Sequence, residues 1–448
     1  MLRPLVGILI QRKEPARSAW KKVEGRRGAS PVLRLSDRVS KIIFFVSLMF
    51  LVALAAFAYG IAVVGAGIWP REPLHILVDH LRSVYMVGEW QPGGRFVSAP
   101  DGAARQRVVI SRPDLFEPGY RAIMGWNGDR YGIWLIDSDG DDTHYWPIDY
   151  QKLDPDGPPT LEPHGMAVLV DASILVNFDS GEVLARLDAC GAPVWVKRGV
   201  YHHSLERAED GSFWTWRADH SAYGHYQYLV NFDPETGDTI REYSLIEDFI
   251  ERSPEHRQIF ALSAGYPYVG QGGDDLFHPN DVEPLPTGLA AKYPQFNPGD
   301  LLVSFRNIHL VAVLDPADGA VKWWSHGPWR FQHDPDFGDD GKILIYNNNS
   351  GRGRRSNAIA IDPASRRLDV AFADGEVRFY SEWAGKIQRL PGGAVLLVVP
   401  EEGRVVEASW SGETIFEFNN VWSDQANGYV VNAAWLPANF FPDEPSCG

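Results

Sequence analysis

Residues 301–324 read LLVSFRNIHLVAVLDPADGAVKWW. Two apolar runs of strand length lead into the turn Asp315-Pro316-Ala317-Asp318-Gly319, and a further strand carries Trp323-Trp324. Aliphatic and aromatic runs punctuated by Asp, Pro and Gly mark antiparallel strands joined by tight turns. The same grammar extends in both directions. A unit opens on His or Gly among small or polar residues, then gives an apolar strand, an Asp/Gly turn and another apolar strand. It closes on a second turn and a strand that often bears Trp.

Pro163-His164-Gly165-Met166 opens one such unit, which closes at Asp188-Ala189-Cys190-Gly191 and Val194-Trp195. His202-His203-Ser204-Leu205 opens the next, with Asp210-Gly211 and Asp233-Pro234-Glu235-Thr236-Gly237 as its turns. Phe277-His278-Pro279-Asn280 opens the unit that holds residues 301–324, and Gln332-His333-Asp334 opens the one after it. Ala384-Gly385-Lys386 begins another, and a weaker copy surrounds Tyr131–Asp137. Six units of roughly 40–70 residues, each with material for about four strands, predict an all-β fold, a six-bladed β-propeller. The tail Tyr429–Trp435 is expected to supply the strand that closes the ring.

Aromatic content supports that class. The 448 residues include 16 Trp, 17 Tyr and 22 Phe, with 43 Gly and 32 Pro. Charge is placed unevenly: residues 1–41 carry eleven basic side chains against Glu14, Glu24 and Asp37, a net of +8, which leaves −24 for the remainder of a chain at −16. So acidic a domain repels a nucleic-acid backbone, and nucleic acid is not an expected partner. Residues 42–69 contain no charge at all. A helix of that length spans roughly 42 Å, enough to cross a bilayer with some tilt. The expected organisation is a basic cytoplasmic segment (1–41), a transmembrane helix (42–69), a linker and lead-in segment (70–120), and the propeller (121–448). The positive-inside rule places the propeller outside the cytoplasm, facing the periplasm in a Gram-negative cell. Ala56-Phe57-Ala58 has the small-x-small form of a signal-peptide cleavage site, but the long leader and apolar run favour an uncleaved anchor. The two cysteines, Cys190 and Cys447, both fall in the exported part, where a disulfide is permitted.

Four units open with His at one repeat position: His164, His203, His278 and His333. The first strand of each propeller blade lines the central channel, so these side chains are expected to converge on one axis. Convergent imidazoles suit nucleophilic or acid–base work, or the binding of zinc or copper. A non-catalytic binding platform is the third class of function open to such a fold.

The motifs Phe277-His278-Pro279-Asn280-Asp281-Val282, Ser304-Phe305-Arg306-Asn307 and Gln332-His333-Asp334, in that order, resemble the arylsulfate sulfotransferases, as does His202-His203 before Asp210-Gly211. The resemblance covers about residues 125–435. It implies a six-bladed propeller in which His333 is the nucleophile that transiently carries a sulfuryl group. His203, His278 and Arg306 would support it, with no cofactor, an aryl sulfate as donor and a phenol as acceptor. His164 matches no catalytic position of the family; it is placed with Asn280 and His202 among substrate-contacting candidates. The membrane anchor and the lack of a cysteine pair near the nucleophile depart from the family pattern. Arg306 suits an anion better than a metal ion, and no Walker-type cradle for a nucleotide sulfate donor is present. Two weaker features are Gly270–Asp275 before His278, which reads as a loop ahead of the alternative of a lip over the channel, and the cluster Arg352, Arg354 and Arg355, which reads as a solvated turn.

Overall fold

The computed structural model describes residues 36–66, 96–100, 105–158, 160–178, 181–219, 222, 226–261, 276–350, 355–372 and 377–447. Most of the basic segment, residues 67–95, the Gly270–Asp275 loop, Arg352 and Arg354 lie outside the described residues.

Helix α1 spans Asp37–Ala66, and its Asp37–Val63 stretch is long and apolar enough to cross a membrane, a property that anchors and signal sequences share. It starts five residues before the uncharged run. Asp37 in the first turn complements the helix dipole, and Lys41 Nζ donates back to its carboxylate at 2.7 Å.

The propeller has six blades, each read from channel to rim. Blade 1 is Val430–Leu436, Tyr120–Trp126, Tyr131–Ile136 and Asp142–Ile148. Its innermost strand comes from the C-terminal tail, so the first and last parts of the domain share one sheet, as the tail sequence predicts. Blade 2 is Met166–Val168, Ile174–Asn177, Val183–Leu187 and Pro193–Arg198, and blade 3 is Val200–Arg207, Phe213–Ala218, Gln227–Phe232 and Thr239–Ser244. Blade 4 is Pro279–Pro284, Leu301–Phe305, Leu310–Asp315 and Ala320–His326. Blade 5 is His333–Phe337, Ile343–Asn347, Asn357–Ile361 and Leu368–Ala371. Blade 6 is Lys386–Arg389, Val395–Val399, Arg404–Ala408 and Thr414–Asn419, with Val108–Ile110 added as a fifth, outer strand. Phe96–Ser98 pairs with Ala426–Gly428, so part of the lead-in segment is woven into the domain.

The cores lie between blades rather than within them. Trp126, Trp146, Ile174 and Phe178 pack blade 1 on blade 2, and Trp216, Val282, Val303 and Phe305 pack blade 3 on blade 4. Indole N–H groups stitch the same seams: Trp146 donates to the Ala172 carbonyl at 2.8 Å, and Trp216 to the Asp281 carbonyl at 3.0 Å. Where the ring closes, Arg121 of blade 1 makes a fork to Glu407 of blade 6 at 2.6 and 2.9 Å, and both side chains are fully buried. Cys190 and Cys447 are joined in a disulfide, with Cα atoms 5.2 Å apart, tying the tail to the turn of blade 2.

Candidate functional site

The innermost strands are not regular where the histidines sit. Register slips between His202 and Glu206 in blade 3, between Pro279 and Asp281 in blade 4, and between His333 and Asp336 in blade 5. At these slips the backbone takes left-handed values unusual for bulky residues: φ is 59° at His203, 48° at His278 and 50° at Asp334. Such bulges re-aim side chains, and they are tolerated where surrounding contacts enforce them. The enforcement comes from asparagines of neighbouring blades that capture the carbonyls beside the bulges. Asn432 Nδ2 donates to the His164 carbonyl at 3.3 Å, Asn177 to that of His203 at 3.2 Å, and Asn280 to that of Gln332 at 2.8 Å. Gly165 is required at this seam, because a Cβ there would lie 2.1 Å from the His203 carbonyl oxygen.

The result is a layer of imidazoles. The His203 ring centroid lies 4.4 Å from that of His164 and 5.1 Å from that of His278. His333 shares a cavity with His164, Asn280 and Ser204. His203, His278 and His333 are each less than 5% exposed. The sequence reading therefore identified residues that do meet on the axis. His202 is different: it is fully buried, its ring engaged by His203 at 2.7 Å and by Gln227 at 2.8 Å, so it supports His203 rather than facing the channel.

Hydrogen bonds fix two tautomers. His333 Nδ1 lies 2.8 Å from Asn348 Oδ1 and 3.0 Å from the Phe331 carbonyl. Asn348 is itself oriented, because its Nδ2 donates to the Ser381 and Ala384 carbonyls at 3.0 and 2.9 Å. Two acceptors at Nδ1 require a proton there, and the lone pair is then on Nε2. The second case is a relay. Gln227, oriented by its own donation to the Ala222 carbonyl at 3.0 Å, accepts from His202 Nε2, so His202 Nδ1 must accept from His203 Nδ1. His203 Nε2 also carries a lone pair.

His203, His278 and His333 all stay neutral. Burial, then the Arg306 charge, lowers the His333 pKa to about 3. Burial and Arg306 likewise press His278 well below its ordinary value; for His203 the causes are burial and its histidine neighbours. Neutral imidazole is the form a nucleophile needs. Arg306 sits on the turn after the second strand of blade 4, where its backbone N–H donates to the His278 carbonyl at 3.0 Å. Its guanidinium carbon lies 6.0 Å from the Phe331 ring centre and 5.8 Å from that of Trp383. Asn280 Oδ1 is buried with no hydrogen-bond partner among the described residues and lines the cavity.

A family description, Arylsulfotransferase (ASST), matches residues 165–421, more than half of the chain. The chain belongs to the arylsulfotransferase family. The match spans His203, His278, Arg306 and His333 and begins one residue after His164. No curated protein matches the sequence. Solved structures similar in backbone include a protein of unknown function from Bacteroides caccae, 13% identical over 70% of this chain and 99% of that one, with a TM-score of 0.46. Kuenenia stuttgartiensis hydrazine synthase is 13% identical over 62% of this chain and 70% of that one, with a TM-score of 0.39. A catalytically inactive virginiamycin B lyase from Staphylococcus aureus is 10% identical over 74% and 88%, with a TM-score of 0.38. At these scores they carry no argument about chemistry.

In this arylsulfotransferase chain a second layer accompanies the imidazoles, and the sequence reading missed it. Lys386 of blade 6 contacts Asp334, and its Nζ lies 3.4 Å from Asp281 and 3.5 Å from Glu206. Oxygens of those three carboxyl groups lie within 4.8 Å of one another. Asp334 also accepts from the Ile387 N–H at 2.6 Å, which ties the residue after the nucleophile candidate to the next blade. Glu283 and Asp336 complete the layer; burial raises both well above the usual carboxyl range. The missed signal is a spacing, since His203, His278 and His333 are each followed three residues later by Glu206, Asp281 and Asp336. On a regular strand that offset points to opposite faces. A register slip falls within each of these stretches, so the ideal alternation does not hold there.

Proposed function

We propose that the chain moves a sulfuryl group from an aryl sulfate to a phenol by a ping-pong route through a sulfohistidine at His333. The observation that carries this reading is the His333 imidazole: Nδ1–H is committed to Asn348 and Phe331, so the lone pair is on Nε2, and burial with the Arg306 charge keeps the ring neutral. In the first half-reaction Nε2 attacks sulfur, the N–S bond forms, and the S–O bond to the aryl group breaks. In the second, a phenol oxygen attacks the sulfur and His333 leaves. A sulfuryl group in flight spreads negative charge over its oxygens, as a phosphoryl group does, so positioning and electrostatic stabilisation supply most of the rate.

Arg306 provides the permanent charge, in a planar fork suited to two oxygens. His203 and His278 face the same transferring group once protonated, and Asn280 Oδ1 is an acceptor for a donor hydrogen such as a phenol O–H. His164 lines the same cavity as His333. No nucleotide or metal takes part in this scheme. Helix α1 anchors the chain, with the basic segment in the cytoplasm and the propeller, from about residue 121, on the outer side.

Transfer is tested with the full-length protein in detergent, a nitrophenyl sulfate as donor and a panel of phenols as acceptors, without added nucleotide or metal. Parallel lines in double-reciprocal plots are expected. Failure to release nitrophenol with any acceptor would remove the transferase reading and leave the propeller as a binding module.

A further inference from the structure

The imidazole layer has lone pairs where the reaction also needs a proton. A departing phenolate must be protonated, and an acceptor phenol must give its proton up. At rest, His333 and His203 are held as Nδ1–H tautomers, and both, with His278, are pressed toward the neutral form. The imidazole that assists must therefore be supplied with its proton from elsewhere.

The neighbouring layer is built to hold protons. Glu206, Asp281 and Asp334 converge on the single ammonium of Lys386, with Glu283 and Asp336 beside them. One positive charge balances one carboxylate, and like charges this close do not all ionise. Asp281 is 1% exposed and its Oδ2 has no hydrogen-bond partner among the described residues, a poor environment for an anionic oxygen and a good one for an O–H. Burial raises Asp281 well above the usual range, and pushes Glu206 up to about 7. Asp334 and Lys386 line the same cavity as His333, His164 and Asn280. The other titratable groups near the layer are the imidazoles of His164 and His333, which line the same cavity, and those of His203 and His278, with Arg306 acting on His278 and His333.

We propose that the carboxyl groups of Glu206 and Asp281, gathered with Asp334 around Lys386, are the proton store of sulfuryl transfer. The role rests on the transferase reading. In the first half-reaction one carboxyl proton passes through cavity water and the imidazole layer to the phenolate oxygen, leaving a carboxylate beside Lys386. In the second, the proton of the acceptor phenol returns to that carboxylate as the new S–O bond forms. Charge and proton count are restored after each cycle.

The test grades donors by leaving group in wild type, Glu206→Gln and Asp281→Asn. A nitrophenolate leaves without a proton, whereas an unsubstituted phenolate needs one. In a single turnover without acceptor, the variants are expected to release phenol from phenyl sulfate on the order of a hundredfold more slowly, the usual scale of general acid catalysis, and nitrophenol from nitrophenyl sulfate almost normally. A loss of equal size for both donors assigns the residues a structural role and overturns the proposal while leaving the transferase reading intact. A wild type inactive on every donor overturns that reading, and the store's role with it. Infrared spectra of the resting protein near neutral pH give a readout free of turnover. A neutral-carboxyl C=O band that weakens in Asp281→Asn is expected, and its absence from wild type overturns the store.

Discussion

Acidification offers a quantitative check on the buried nucleophile candidate. An unfolded histidine binds its proton near pH 6.5, whereas His333 in the fold does so only near pH 3. Below 6.5 the unfolded chain takes up a proton that the native protein refuses, so stability falls as pH drops through 6.5 and levels off only below 3. Applying the linkage relation to these two values gives a loss of about 2 kcal/mol between about pH 7 and pH 5, and about 3 kcal/mol by about pH 4. The carboxyl layer works the other way. Glu206, raised to about 7, contributes stability that is fully present below its unfolded pKa and is lost as pH rises through its folded value. Wild type alone therefore mixes two opposed slopes. The informative comparison is His333→Gln, which removes one titration and leaves the carboxyls in place. Urea unfolding of the full-length protein in detergent, followed by tryptophan fluorescence at several pH values, measures the difference. Wild type should lose about 2 kcal/mol more than the variant over the first interval. Equal losses would mean that His333 titrates normally, and the argument from its burial would be wrong.

Further outcomes follow from particular contacts. Asn348→Asp sets a carboxylate at 2.8 Å from His333 Nδ1, which favours the imidazolium; the kcat/KM profile for aryl sulfate should gain an acid limb at higher pH than in wild type, and an unchanged profile would refute the tautomer assignment. Arg121→Met strands Glu407 at the closing seam of the ring and should cost about 3–5 kcal/mol in chemical unfolding, with much of the loss recovered when Glu407→Leu is added; a shift below about 1 kcal/mol would show that the fork is not needed for closure. Peptide mapping without reductant should recover Cys190 joined to Cys447, and two alkylatable thiols would contradict the pairing.

The propeller was legible because each unit repeats its turns and apolar strands, and because Tyr429–Trp435 has the length and pattern of an inner strand without a unit of its own. The imidazole layer was legible for the same reason: one His per unit at one repeat position projects onto one axis. Sequence placed His203 rather than His202 at the repeat position, but it could not show the bulge, enforced by tertiary contacts, that turns His203 to the channel. Nor could it show the carboxyl layer, because residues three apart on an ideal strand face opposite ways. Lys386 shows the same limit. In the sequence it opens a unit that has Gly385 where four others have His, and nothing there indicates that its ammonium meets Glu206, Asp281 and Asp334 from three other units. Val108–Ile110 was obscured by brevity: three residues carry no period, and their outer position on blade 6 is set by pairing with Phe416–Phe418.

The central claim is that His333 Nε2 attacks sulfur, and trapping the intermediate tests it most directly. The full-length protein is mixed with nitrophenyl sulfate in the absence of acceptor, quenched under alkaline conditions that preserve a nitrogen–sulfur bond, and digested for mass spectrometry. The account predicts one sulfuryl group on the peptide containing Gln332-His333-Asp334, with neither label nor nitrophenol burst in His333→Ala. A sulfuryl group found on another residue, or an undiminished burst from His333→Ala, would contradict it.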